Sequence, residues 1–263
     1  VTWRRRGTVA AHEPGTNRMN VAAGRTCAGD LVVLASGWSD KPGPDAGPHA
    51  PFRGEVLTPW ICRSADGGAT WTREGELALG GAGRPIPFGD ILPAPDGRLR
   101  TTLYATSNRY PRTGVNLLVS EDDGHTWAET ASIVDDGDHN ETTLLHVEGD
   151  HWLAASRTAT EQRLDLFVSR DAGASWTFHA PLTGPMMHPA HLLRLADGRV
   201  LLSFGIRFRG CYGIGVRFSG DAGATWTRQP IVLLQFGPAT DGGYPSSIQR
   251  DDGTIVTAWY ANR

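Results

Sequence analysis

Charged and aromatic residues recur at the ends of short apolar runs along this chain. Those that precede or start apolar runs are Asn20, Asp90, His139–Asn140–Glu141, His188 with His191, and Asp241 with Tyr244. Those that end the following runs are Trp38 with Asp40, Asn108–Arg109, Arg157, Arg207 with Arg209, and the stretch from Tyr260 to Arg263. Carboxylate, guanidinium, imidazole and phenol groups bind polar ligands and exchange protons. If the fold brings these ends together, one site for a polar ligand explains them better than separate solvated loops.

A pair of apolar runs joined by a tight turn occurs five times and carries these residues. The paired runs span 21–37, 91–107, 142–158, 192–206 and 246–260, and their turns contain Gly29–Asp30, Asp96–Gly97, Gly149–Asp150, Asp197–Gly198 and Asp252–Gly253. Asp-Gly between apolar runs favours a hairpin, because glycine accepts the positive φ that such turns need. The sequence therefore predicts five antiparallel hairpins.

A second pattern, Ser-x-Asp-x-Gly-x-Thr/Ser-Trp, follows four of these hairpins. Its copies span 64–71, 120–127, 169–176 and 219–226, and their tryptophans are 56, 49 and 50 residues apart. A period near 50 residues indicates a repeat architecture. Val1–Thr2–Trp3–Arg4 looks like the tail of a further copy. We therefore expect the chain to begin inside a repeat, with sequence missing upstream.

Each repeat contains enough strands for one blade of a propeller. A third strand precedes the motif, as at 116–119 and 164–168, and a fourth follows its tryptophan. Four antiparallel strands repeated radially describe a β-propeller blade. A β-solenoid is the alternative, but its repeats are shorter and contain fewer turns. We predict an all-β propeller with about five blades present, forming one domain over 1–263 that is truncated at both ends.

The hairpin geometry separates the repeated motif from the predicted ligand site. In an antiparallel hairpin, the start of the first strand and the end of the second lie at one end, and the turn lies at the other. The turn that carries the motif points the same way as the hairpin turn. Its Ser and Asp can bond the N–H groups of that turn, and its Trp can pack between strands. We therefore interpret Asp66, Asp122, Asp171 and Asp221 as structural.

Composition narrows the classes of partner. The formal net charge is −3, so no broad cationic surface is available for nucleic acid or anionic lipid. No apolar run approaches the roughly 18 residues of a membrane span. Cys27, Cys62 and Cys211 are odd in number and widely spaced, which is typical of buried thiols rather than of a disulfide framework or zinc site. We predict a monomer.

The repeated motif resembles the Asp-box of the sialidase (neuraminidase) superfamily and its wider bacterial neuraminidase repeat group, which form six-bladed β-propellers. The resemblance spans nearly all of the chain and implies that the first blade is missing. Asn140–Glu141 followed by Arg157 is similar to the fourth blade of that family. Arg209, with Arg207 as the next match, is similar to an arginine of the fifth blade. Gly243 to Ser247, with Tyr244, is similar to the start of the sixth.

The resemblance implies a retaining, exo-acting glycoside hydrolase that removes terminal sialic acid or a similar acidic sugar, without a cofactor or a metal ion. Tyr244 would be the nucleophile and Glu141 its base, since free tyrosine, with a pKa near ~10, is otherwise a poor nucleophile. Arg157 and Arg209 would bind the substrate carboxylate by paired hydrogen bonds. A neutral phenol suits an anomeric carbon that bears a carboxylate. The acid/base aspartate and a further arginine would precede residue 1.

Two other functions fit the same residues. A different carbohydrate-active propeller could use His139 or His188 for acid–base chemistry on a uronate-bearing glycan, and a non-catalytic propeller could bind glycan or protein. Structural roles also stay open: Tyr244 could cap a strand, and Arg157 and Arg209 could form ion pairs between blades. His188 with His191 resembles a metal pair only loosely, so substrate contact or a structural role fits better. Asp90 could bind substrate hydroxyls or cap its strand.

Overall fold

The computed structural model describes residues 4–41, 54–79, 85–105, 114–235 and 242–261. Asn108–Arg109, Asp241 and the chain ends at 1–3 and 262–263, all named above, lie outside these ranges. Every regular element described is a β-strand, which confirms the all-β prediction. In the described part of the chain, no helix of the length and apolarity needed to cross a bilayer is found.

The chain divides into two compact units, Val1–Ala131 and Ser132–Arg263. The prediction of a single domain over 1–263 stays a prediction. The strands of the first unit are β1 (Asn20–Arg25), β2 (Leu31–Trp38), β3 (Val56–Ser64), β4 (Thr72–Glu76), β5 (Ile86–Pro93), β6 (Leu99–Tyr104), β7 (Val115–Ser120) and β8 (Ala128–Val134), the last of which runs across the boundary.

Two four-stranded antiparallel groups of the first unit are joined edge to edge. The strand order is β4-β3-β2-β1-β5-β6-β7-β8, and β1 pairs with β5 in parallel through Ala22, Ala23 and Gly24. A Cβ atom at Gly24 would lie 2.0 Å from the carbonyl oxygen of Ile91. The absence of a side chain at Gly24 is therefore what allows the two inner strands to approach this closely.

The second unit also consists of antiparallel strands, but its sheets are separate. Its strands are β9 (His139–Glu148), β10 (His151–Thr158), β11 (Leu164–Ser169), β12 (Thr177–Pro181), β13 (Met187–Arg194), β14 (Val200–Phe208), β15 (Cys211–Ser219), β16 (Ile231–Gln235), β17 (Gly242–Gln249) and β18 (Ile255–Ala261). They form sheets β12-β11-β10-β9 and β13-β14-β15-β16 and the hairpin β17–β18. These repeated antiparallel sheets confirm the predicted fold class, that of four-stranded β-propeller blades.

All five predicted hairpins are present, as β1–β2, β5–β6, β9–β10, β13–β14 and β17–β18. In the β13–β14 turn, Leu195 N–H donates to the carbonyl of Arg199 at 2.8 Å and Gly198 N–H donates to the carbonyl of Leu195 at 2.9 Å. The equivalent pair of bonds closes three of the other turns. The tight turns predicted from the Asp and Gly residues are therefore closed by backbone hydrogen bonds, which fix the register of the two strands of each hairpin.

The repeated Ser-Asp-Trp motif, called here the motif turn, bonds within itself as predicted. In the copy after β11, Ser169 Oγ accepts from Gly173 N–H and donates to Asp171 Oδ1, both at 2.8 Å. Asp171 also accepts from Ser175 N–H at 2.9 Å, and Trp176 Nε1–H donates to the carbonyl of Gly173 at 3.0 Å. Hydrogen bonds from Ser175 and Ser169 lower the pKa of Asp171 to about 2. The structural interpretation of these aspartates is confirmed.

Each unit buries its own apolar core. The largest cluster of the second unit packs β9 to β11 against β13 and β14 and contains Leu145, Leu153, Leu166, Leu192, Leu202 and Phe204. Burial of such side chains stabilises a fold by about 1.5–3 kcal/mol each. All three cysteines are free, as predicted, and Cys62 is buried. The prediction of buried thiols is wrong for Cys27, which is exposed, and Cys211 is only half-buried.

Candidate functional site

Tyr244 and Glu141 meet in the second unit, although 103 residues separate them in sequence. The Tyr244 hydroxyl donates to Glu141 Oε1 at 2.6 Å. Glu141 is 7% exposed. Burial, and then the negative charge of Glu141, raise the pKa of Tyr244 well above its usual value, while Arg157 and Arg207 act in the opposite direction. The phenol is therefore neutral, and its hydroxyl donates its proton in a hydrogen bond to a buried carboxylate.

Two arginines flank this pair. Arg157 Nη1 donates to Glu141 Oε2 at 2.6 Å, so that the carboxylate binds the phenol with one oxygen and a guanidinium with the other. Arg207 lies over the Tyr244 ring, with its Cζ 5.2 Å from the ring centroid. Arg207 Nε and Nη2 are buried and have no hydrogen-bond partner among the described residues. A buried guanidinium with unused donors is a binding group for an anion.

His188 belongs to the same cluster. Its side chain is 1% exposed, and within the described ranges neither ring nitrogen has a hydrogen-bond partner. Burial, together with the positive charges of Arg157 and Arg207, lowers the pKa of His188 from 6.5 to about 3. The imidazole is therefore neutral at ordinary pH, with one N–H donor and one acceptor nitrogen.

Irregular pairing positions several of these side chains. The register shifts between Ser156 and Thr158 at Arg157, between Met187 and Ala190 at His188, and between Gly243 and Ser246 at Tyr244. A bulge leaves its extra residue out of the ladder and changes the direction of its side chain. Pro189 and Pro245 follow His188 and Tyr244, and a proline has no N–H for the ladder. The strand pairing is therefore irregular at the strand ends that carry the polar groups, and at two of them a proline in the sequence contributes to this.

A pair of glycines brings β14 and β17 together beneath Tyr244. A Cβ atom at Gly205 would lie 2.7 Å from the His188 carbonyl oxygen and 3.4 Å from Gly243 Cα. Tyr244 itself has a φ of 50°, in the left-handed region that few non-glycine residues occupy. Such strain concentrates at functional sites. Gly205 was not among the predicted residues; its signal in the sequence is a glycine inside an otherwise apolar strand.

The other predicted residues are placed as follows. Arg209 is exposed in the turn between Phe208 and Cys211, on the chain that links β14 to β15. Asp90 lies on β5 of the first unit, beside Ala23 of β1 and within the register shift between Phe88 and Leu92. Tyr260 stacks on Tyr244 with ring centroids 5.6 Å apart. The second unit therefore brings together Glu141, Arg157, Arg207, His188 and Tyr244, and leaves Arg209 in an exposed turn.

Two predicted histidines have partners in the fold. Both ring nitrogens of His139 face carboxylates, Nδ1 with Asp136 Oδ2 at 2.7 Å and Nε2 with Asp165 Oδ2 at 3.3 Å. His191 Nδ1 accepts from the backbone N–H of Ser247 at 3.3 Å and so links β13 to β17. Among the described residues, no group of three or more His, Cys, Asp or Glu side chains is placed to hold a metal ion.

Comparison with known proteins gives one family and several similar folds. A model of the BNR repeat-like domain matches residues 2–257. A crystal structure of a protein of unknown function from Dyadobacter fermentans superimposes with a TM-score of 0.80 at 28% identity, over 97% of this chain and 74% of that one. The search of curated proteins gives no match.

Two of the similar structures are named for their activity. The Hadza microbial sialidase Hz136 has a TM-score of 0.68 at 19% identity, over 89% of this chain and 48% of that one. The Penicillium chrysogenum α-L-arabinanase in complex with arabinobiose has a TM-score of 0.69 at 17% identity, over 96% of this chain and 77% of that one. At these identities the likeness is one of fold.

Proposed function

Because the chain belongs to the BNR repeat-like domain family, we propose that it is a retaining exo-glycosidase that removes a terminal acidic sugar, sialic acid or a close relative, from glycans. The observation that carries this proposal is the 2.6 Å hydrogen bond from the Tyr244 hydroxyl to the buried Glu141 carboxylate. This bond places the phenol proton directly on a carboxylate oxygen that could accept it, which is the geometry that a general base needs.

In the first step, the Tyr244 oxygen attacks the anomeric carbon as its proton passes to Glu141. The bond from that carbon to the glycosidic oxygen breaks, and a separate acid protonates the leaving alcohol. Water then attacks the anomeric carbon and gives a proton to the separate acid, which now acts as a base. The bond from that carbon to the Tyr244 oxygen breaks, and Glu141 returns its proton to the phenol, so that the product keeps its anomeric configuration. Arg157 and Arg207 lower the free energy of the developing phenolate, as their effect on the pKa of Tyr244 indicates.

Arg207 is the better candidate for binding the substrate's anionic group. Its Nε and Nη2 are buried without a partner in the described part of the chain, whereas Arg209 is exposed in a turn. Two donors on one planar guanidinium match the two oxygens of a carboxylate. An acidic sugar is thus favoured over a neutral one such as arabinose.

The test is the substitution Tyr244→Phe, assayed with an aryl sialoside and, in parallel, an aryl α-L-arabinofuranoside. We expect the wild type to cleave the sialoside and the variant to lose activity by about 1,000-fold or more, since the phenyl ring keeps the packing and removes the nucleophile. Tyr212→Phe on β15 is the matched control and should retain full activity.

The other outcomes separate the alternatives. If Tyr244→Phe hydrolyses an acidic glycoside as fast as the wild type, the tyrosine mechanism is wrong and a histidine-dependent route takes its place. If the wild type hydrolyses neither glycoside but binds acidic glycans, the protein is a binding propeller. Cleavage of the arabinofuranoside alone would contradict the proposed substrate class.

A further inference from the structure

We propose that His188 is a third ligand-binding residue of this site, a neutral hydrogen-bond donor that acts with Arg157 and Arg207 on the anionic group of the substrate. This inference rests on the proposed function, because it assumes an anionic ligand beside Tyr244. A search for positively charged partners of the anion would overlook His188, because a neutral imidazole forms no salt bridge.

The position of His188 supports this role. β13 contacts both β9, which carries Glu141, and β17, which carries Tyr244. A Cβ atom at Gly205 would lie 2.7 Å from the His188 carbonyl oxygen and 3.4 Å from Gly243 Cα. The backbone of His188 is therefore close to Gly243, the residue that precedes Tyr244. The register shift between Met187 and Ala190 leaves His188 and Pro189 outside the regular β13–β14 pairing.

The unpaired nitrogens support a ligand rather than a structural role. Native proteins rarely bury polar atoms without partners, and each exception needs an explanation such as a bound ligand or water. In the described residues, Nδ1 and Nε2 of His188 and Nε and Nη2 of Arg207 all lack partners. Arg157 and Arg207 both act electrostatically on His188, so the three side chains are neighbours. An anion there would satisfy several of them at once.

A protonated, positively charged His188 does not fit its surroundings. A histidine that served as a third positive charge would need a carboxylate partner, as His139 has in Asp136 and Asp165. Among the described residues, His188 has none, and its neighbours Arg157 and Arg207 oppose its protonation. The neutral ring instead donates one N–H without adding a charge that would have to be buried in the free protein.

The experiment measures binding rather than turnover. N-acetylneuraminic acid and glucuronic acid, each with its methyl ester, are titrated into wild type, His188→Asn and His188→Leu by calorimetry. We expect the wild type to prefer an acid over its ester, His188→Leu to weaken binding of that acid by about 10-fold with little change for the ester, and His188→Asn to stay within about 3-fold because it keeps a donor. His191→Asn is the matched control, and its acid-to-ester preference should not change.

The outcomes are distinguishable. If His188→Leu binds the acid as tightly as the wild type, or loses acid and ester equally, the inference is overturned. If the wild type binds glucuronic acid and not N-acetylneuraminic acid, the proposed sialic acid substrate is wrong, and the same comparison of variants on glucuronic acid decides the role of His188. If the wild type binds neither acid, the inference is overturned, whatever its glycosidase activity. Thermal unfolding checks that both variants fold.

Discussion

The motif turn after β11 and the candidate site, both in the second unit, differ in how their polar groups are paired. At the motif turn, Ser169, Asp171 and Trp176 form their hydrogen bonds within one short loop. At the candidate site, His188 and Arg207 bury nitrogens that no described residue pairs. Polar groups that are paired within one loop stabilise the fold, whereas buried polar groups without a partner cost free energy, a cost that the proposed anionic ligand would remove.

Two histidines of the second unit repeat this contrast on a smaller scale. His139, at the start of β9, faces a carboxylate with each ring nitrogen and packs edge-on against Phe167 at 5.2 Å between centroids. His188 is as deeply buried and has no such partners in the described ranges. This difference fits a structural role for His139 and the binding role that we propose for His188.

Among the substitutions that compare the site with the turns, the largest effect should come from Glu141→Gln, set against Glu148→Gln at the other end of the same strand. Gln keeps the shape and a hydrogen bond to Tyr244, but it takes up no proton, so we expect kcat to fall about 100- to 10,000-fold. Glu148 is exposed beside the hairpin turn, and its variant should retain activity. Equal loss in both variants would contradict the division between the two ends.

Arg207→Ala should come next, with Arg209→Ala as its counterpart two residues away. Losing the guanidinium over Tyr244 removes two donors from the substrate's anionic group, and we expect kcat/KM to fall about 10- to 100-fold. Arg209 is exposed, so its variant should stay within about 3-fold of the wild type. The reverse order in steady-state kinetics would show that the sequence match to Arg209 was the better guide.

His188→Leu should change how stability depends on pH. The pKa of His188 is lowered in the folded state from 6.5 to about 3. Below pH 6.5 the unfolded chain therefore takes up a proton that the folded protein does not, so the free energy of unfolding is highest above pH 6.5 and falls as the pH drops from 6.5 toward 3. Between pH 7 and pH 5 this costs the wild type about 2 kcal/mol that the leucine variant should not lose. Denaturant unfolding at both pH values measures it; parallel curves for the two proteins would contradict a buried, neutral imidazole.

Ser169→Ala should have the smallest effect, and on stability alone. The substitution removes the acceptor of the buried Gly173 N–H, which costs about 1–2 kcal/mol. Ser219→Ala in the next copy breaks the equivalent bond to Gly223 and should behave alike. Thermal unfolding and a glycosidase assay below the midpoint measure the two quantities. A change in kcat for either variant would mean that the motif turns reach the chemistry after all.

The local patterns of the sequence were sufficient for the scaffold. Asp-Gly turns and the period of the motif predicted the hairpins and strand groups because turn residues and hydrogen bonding within a loop depend on neighbours in the chain. They also predicted that Asp171 and its equivalents bond their own turns. The same logic failed for Cys27, whose exposure depends on what packs over it.

What the sequence determined by itself is therefore the all-β repeat, the direction of each turn, and the set of strand ends at which a site could lie. The resemblance in the sequence already paired Tyr244 with Glu141, and the structure shows their contact. Only the tertiary structure decided that Arg207 rather than Arg209 lies over the phenol, and that His139 is paired while His188 has no partner among the described residues. The physical reason is that bulges and close glycine contacts turn individual side chains, and their partners lie in strands that are distant in sequence. Burial and charge at the site then follow from that packing.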